Sequence, residues 1–185
     1  MYGLVNKAVH EMVVKNFGLD KWLSIKKRAE LDVEEFVCMQ AYPDDITFAM
    51  VGAASAEFGM PPETVLRTLG NYWITYADKE GYGDLMELAG DNVVEVLENL
   101  EELHTRVGLS FPELKMPHFR VSDKTTHQFK LHYESTRDGL GAFVCGIVEG
   151  LGTKFSQDLE IAWIQKKNEG ADHDLFQITL QERSD

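Results

Sequence analysis

The chain has 185 residues, 44% of them hydrophobic, which is enough for one globular domain (residues 1–185) with a sizeable core. A formal net charge of -13 and a pI of about 4.8 repel phosphate backbones and anionic lipid, so nucleic acid and membrane surfaces are poor partners. No apolar run is long enough to span a bilayer, and the opening MYGLVNKAVHEMVVKNFG lacks the unbroken apolar stretch of a secretory leader. The two cysteines, Cys38 and Cys145, have no metal-ligand spacing, and free thiols in a reducing cytoplasm are expected. In chain order, Leu4, Val5, Ala8, Val9, Met12 and Val13 form a helical stripe. Asp20 reads as the N-cap of a short helix to about Ala29. Pro43-Asp44-Asp45 opens a helix to about Phe58. Gly59 and Pro61-Pro62 separate it from a helix carrying Val65, Leu66, Leu69, Tyr72, Trp73 and Tyr76. A short helix over Gly83 to Ala89 ends at Gly90-Asp91, where a new cap is expected. In the helix that follows, about Asn92 to Val107, positions Val93, Leu97, Leu100, His104 and Val107 step by four and three and share one face.

The texture changes near Pro112. Pro117 to Ser122 and His127 to Tyr133 read as strands, and Asp138-Gly139 breaks the chain. Leu140, Phe143, Val144, Ile147, Val148 and Leu151 then make another helical stripe. Leu159 to Ile164 and Leu175 to Leu180 alternate as two further strands around the turn at Asn168-Glu169-Gly170. A mostly helical part, about 1–110, followed by a strand-rich part, about 111–185, with one long helix inserted, is an α+β arrangement with an antiparallel sheet.

Two features could carry chemistry. His104 lies on an apolar stripe. Taken alone it is most simply a core histidine bonded to a backbone carbonyl; the second reading is an axial ligand donating its lone pair to haem iron inside an apolar cavity. Tyr133, Ser135 and Arg137 alternate, so on a strand they would present two hydroxyls and a guanidinium on one face. This is either the wet face of a sheet or a clamp for a ligand with carboxylates. Together the two features match a haem, which has an apolar ring, an iron and two propionates.

The segment His104-Thr-Arg-Val-Gly-Leu-Ser-Phe-Pro112, with Tyr133-x-Ser-x-Arg137 downstream, resembles the H-NOX family, which includes the haem domain of soluble guanylate cyclase. The opening Met1 to Asn6, Val51 to Ser55, Gly81-Tyr82-Gly83 and Gly139 to Gly146 are similar to that family too. The resemblance implies that haem b sits between the two parts of the chain. It makes His104 the proximal iron ligand and Tyr133, Ser135 and Arg137 the holders of the propionates. Pro117 would press on the porphyrin, and Leu4 would lie against it. Oxygen-holding members carry a distal tyrosine three residues before the glycine that matches Gly146; this chain has Phe143 there. Trp73, Leu140, Val144 and Ile147 would complete the distal wall. The expectation is a sensor of nitric oxide and carbon monoxide that disfavours oxygen, because Phe143 has no donor; contact from the Trp73 indole N–H would soften that preference. The resemblance further implies that nitric oxide weakens the bond to His104, so that the helix and the Pro117 contact relax. The chain has no room for an output domain, so a separate histidine kinase or cyclic-nucleotide enzyme is the expected partner.

Catalysis finds little support, since nucleophile-elbow, zincin and P-loop patterns are absent. A zinc site from His118, His127, His132 and His173 lacks ligand spacing, and these read as scattered surface histidines. A haem enzyme using oxygen or peroxide would want a distal histidine or arginine, and none is evident. The alternative of another class is a binding module for a different carboxylated apolar ligand, with His104 merely a core residue.

Overall fold

The computed structural model describes residues 1–111 and 115–181. Pro112, read as the divide between the two parts, lies outside the described residues. Helices α1 (Gly3–Phe17), α2 (Leu19–Arg28), α3 (Asp44–Phe58), α4 (Pro62–Ala77), α5 (Gly83–Ala89) and α6 (Val93–Ser110) come first. Strands β1 (His118–Ser122) and β2 (Gln128–Glu134), helix α7 (Gly141–Lys154), and strands β3 (Leu159–Gln165) and β4 (Asp174–Leu180) follow. The α+β expectation holds, with one antiparallel sheet in the order β1-β2-β4-β3.

The local reasons for these elements differ in detail from the sequence reading. Asp20 is not a cap: α2 starts one residue earlier, behind Gly18 (φ 87), and Asp20 sits in its first turn, where a carboxylate favours the helix dipole. The cap of α6 is Asn92, whose side chain accepts from the Glu95 amide at 3.0 Å, while the Glu95 carboxylate accepts from the Asp91 amide at 2.9 Å. This reciprocal arrangement satisfies two amides that a helix start leaves open. Between α4 and α5 the chain kinks over Asp78–Tyr82, with Gly81 at φ 94; the left-handed backbone explains the glycine.

The sheet buries one face. Phe119, Phe129, Leu131, Tyr133, Phe176 and Ile178 all point inward, and the register sets Phe119 against Tyr133 and Leu131 against Phe176. Alternate burial along β2 is the period-2 signature of a half-buried strand. Helix α7 packs on α4 at backbone distance. A Cβ on Gly146 would fall 2.0 Å from the Arg67 carbonyl oxygen, and one on Gly70 would fall 2.1 Å from that of Phe143. Only glycine permits this approach, which leaves α4 and α7 as one closely joined slab.

Candidate functional site

A cavity lies between the helical part and the sheet, and its lining draws on both. Helix α6 contributes Val96, Leu100, Leu103, His104 and Val107; of the four-and-three stripe, Leu100, His104 and Val107 line the cavity, whereas Val93 and Leu97 are buried in the core instead. Met116, Pro117 and Phe119 extend this side. Opposite stands the α4–α7 slab, with Trp73, Ile74 and Ala77 from α4 and Leu140, Phe143, Val144, Ile147 and Leu151 from α7 and its approach. Leu4 and Val5 of α1 close a third side.

His104 is half-buried, and its Nδ1 lies 3.2 Å from the Pro117 carbonyl oxygen. A carbonyl can only accept, so Nδ1 carries the proton and Nε2 keeps its lone pair. Burial lowers the pKa of the ring, partly offset by the Pro117 bond and by Glu101, which favours the neutral imidazole. The core-histidine reading and the ligand reading of His104 are therefore compatible: it bonds to a backbone carbonyl, and that bond leaves its other nitrogen with a lone pair.

The Tyr133-x-Ser-x-Arg137 motif behaves differently from a strand face. β2 ends at Glu134, so only Tyr133 belongs to it; Ser135 and Arg137 are carried by the turn beyond. The three still converge. Ser135 Oγ accepts from the Arg137 amide at 3.1 Å, and the Tyr133 hydroxyl bonds to Ser135. Burial pushes the Tyr133 pKa up, against the Ser135 bond and the Arg137 charge, so the phenol stays protonated and able to donate. Tyr133 and Arg137 line the cavity; Ser135 braces them from behind. Arg137 donates through Nε to Asp44 at 2.8 Å and through Nη1 to the Lys115 carbonyl at 2.8 Å. Asp44, read from sequence only as a helix opener, also accepts from the Met1 amino group. Burial works against its charge, but those two donors hold its carboxyl below the usual carboxylate range.

On the opposite wall, Phe143 and Ile147 are half-buried and Leu140 and Val144 buried. Trp73 tilts against Tyr76, with centroids 6.1 Å apart, and no hydrogen bond among the described residues engages its indole N–H. The sequence reading missed Cys38, Met39, Tyr82 and Met86, which also line the cavity. Only the Gly81-Tyr82-Gly83 motif carried a signal for any of them.

The residues present fit a haem. They offer an imidazole with its lone pair free, apolar walls on both sides, and a guanidinium with a phenol at one end for carboxylates. The expectation for His118, His127, His132 and His173 needs correcting. They are not all scattered, because His132 Nδ1 and His173 Nε2 meet at 2.8 Å, with Ser122 and Asp172 on the outer nitrogens. Pairing of β2 with β4 brings them together across 41 residues, which no local spacing reveals. Among the described residues there is still no group of three or more such side chains able to hold a metal ion, and no helix long and apolar enough to cross a membrane.

Comparison with known proteins agrees with the chemistry. A family model described as Haem-NO-binding matches residues 2–163. The soluble guanylate cyclase gcy-33 of Caenorhabditis elegans is 29% identical over 171 residues, which are 92% of this chain and 18% of that protein. The guanylate cyclase soluble subunit beta-2 of Rattus norvegicus is 36% identical over 93 residues, 50% of this chain and 14% of that one. The chain therefore spans about a fifth of the length of the first of these relatives and less of the second. An H-NOX protein from S. oneidensis, crystallised in the Fe(II)NO ligation state, shares the fold with a TM-score of 0.89 at 22% identity, covering 98% of this chain and all of that one. The unliganded Fe(II) H-NOX protein from K. algicida gives a TM-score of 0.86 at 22% identity, covering 99% and 98%. With the match running through both parts of the chain and both sides of the cavity, this protein belongs to the haem-NO-binding, or H-NOX, family of haem gas-sensor domains related to soluble guanylate cyclase.

Proposed function

We propose that the chain is a single, non-catalytic sensor domain that holds haem b through His104 and reports nitric oxide, and carbon monoxide, to a separate output protein. The observation that carries this is the His104 bond to the Pro117 carbonyl, which leaves Nε2 as a donor toward an apolar cavity. When bound, the haem supplies an iron that takes a small gas on the side away from the imidazole. Tyr133 and Arg137 bind its carboxylates, and Ser135 keeps the two in register. Leu4 and Pro117 would pack against the macrocycle.

Phe143, Leu140, Val144 and Ile147 exclude water and offer no hydrogen-bond donor. Dioxygen gains from a donor more than nitric oxide does. A net hydrogen bond of about 0.5–1.5 kcal/mol corresponds to roughly a two- to tenfold change in affinity, so a wall without one tilts selection away from oxygen. Trp73 walls the same space and moderates that preference only if its N–H reaches the gas. The output partner is a guanylate cyclase or histidine kinase; the cyclase names among the relatives support the first. The free thiols Cys38 and Cys145 support a cytoplasmic setting.

The test is spectroscopic. Purified protein reconstituted with haem should show an intense Soret band that moves when nitric oxide is added to the ferrous form. His104→Gly should lose haem retention and regain it with free imidazole. Haem held equally well by the variant without imidazole would move the ligand elsewhere and overturn the assignment.

A further inference from the structure

We infer that Tyr82 is an additional ligand-contacting residue of this cavity, donating its hydroxyl proton to an anionic oxygen of the bound haem complex; this rests on the haem reading above. Tyr82 lines the same cavity as His104, Trp73 and Phe143. Its hydroxyl meets the thioether of Met39 at 3.8 Å. Sulfur of this kind is a weak acceptor and the contact is an exposed one, so the phenol of this half-buried, cavity-lining residue keeps most of its hydrogen-bonding capacity for another acceptor. Burial raises its pKa, with Cys38 and Glu80 adding to the effect, and the group therefore keeps its proton and acts as a donor.

Two features of the backbone fit that role. Tyr82 ends the kinked segment Asp78–Tyr82 that joins α4 to α5, directly after Gly81 in the left-handed region, so the glycine's backbone sets its direction. Met39 belongs to a stretch fastened to the start of α1 by the Leu4 amide on the Cys38 carbonyl, 2.9 Å, and the Gly3 amide on the Gln40 carbonyl, 2.8 Å. The same stretch runs on to Asp44, the partner of Arg137. Tyr82 thus abuts the loop whose far end sets the guanidinium, which makes a haem carboxylate the first source of the anionic oxygen. A polarised diatomic gas is the second.

Tyr82→Phe, which keeps the ring and its packing, separates these sources in the haem-loaded protein. Wild type is first shown to take up haem and to lose it on His104→Gly. Haem loss is then followed by transfer to an excess of apomyoglobin, and gas release by rapid mixing with a scavenger. A carboxylate acceptor predicts haem loss about tenfold faster with gas release unchanged, and a gas acceptor predicts oxygen release about tenfold faster with haem loss unchanged. Either result supports the inference. Rates equal to wild type in both assays would overturn it, whereas wild type that fails to take up haem would overturn the haem reading instead.

Discussion

The two walls of the cavity are built on opposite principles. The α4–α7 wall is joined backbone to backbone through glycines and clamped outside by Arg67, whose guanidinium donates to Glu149 at 3.0 and 2.5 Å. The α6 wall is anchored at one end only. Val93, Val96 and Leu97 are buried, Leu100, Leu103, His104 and Val107 are half-buried, and Leu109 is 82% exposed. Beyond Leu97 its hydrogen bonds to neighbouring elements run through side chains: Asn99 to the Ala89 carbonyl of α5, and, on the sheet side, Glu98 to Lys124, Glu101 to His118 and the Phe119 amide, and His104 to Pro117. Close packing resists displacement in every direction, whereas a few partly exposed hydrogen bonds yield at modest cost. On the proposed reading, the contrast makes the α4–α7 wall the fixed reference and the α6 wall, which carries His104, the movable part. A sensor needs both, because a ligand shifts an equilibrium only between states that differ.

Three perturbations sharpen or break this contrast, in descending order of effect. Gly146→Ala places a Cβ 2.0 Å from the Arg67 carbonyl oxygen, and backbone cannot give way as a flexible side chain can. The expected cost is about 1–3 kcal/mol, read as a lowered urea midpoint. An unchanged midpoint would show that the slab is looser than its geometry implies. Phe143→Tyr adds a donor to the rigid wall and should strengthen oxygen binding about tenfold, measured from association and dissociation rates. No change would mean that the ring is turned away or that Trp73 or Tyr82 dominates. The smallest effect tests the movable wall in haem-free protein. Burial depresses the His104 pKa below its usual 6.5, so below that pH the unfolded chain takes up a proton that the folded chain resists. Stability from this group is present above about pH 6.5 and is lost as pH falls toward the depressed value, a slope that His104→Leu should lack. Urea midpoints of both proteins at about pH 7.5 and about pH 5.5 give the comparison; parallel slopes would count against a buried neutral imidazole.

Much of the site could be read along the chain. The stripe placed His104 on the face of Leu100 and Val107, and all three line the cavity, since helical spacing fixes direction without knowledge of the partner. Strand alternation put Tyr133 on one face of β2 but left open whether that face was wet; the fold buries it. Where the reading failed, the cause was distance along the chain. Ser135 and Arg137 reach the site through a turn rather than a strand, and Asp44 meets Arg137 across 93 residues. His132 finds His173 only because β2 lies beside β4.

From residues alone follow the element types, the inward face of each and the identity of the family, because side-chain period and local motif are properties of neighbours in sequence. Tertiary structure decided the rest: that Pro117 fixes the proton on His104, that Asp44 holds Arg137, that Tyr82 enters the cavity, and that one wall is rigid while the other is not. Those are contacts between segments far apart in the chain, and they exist only once packing has brought the segments together.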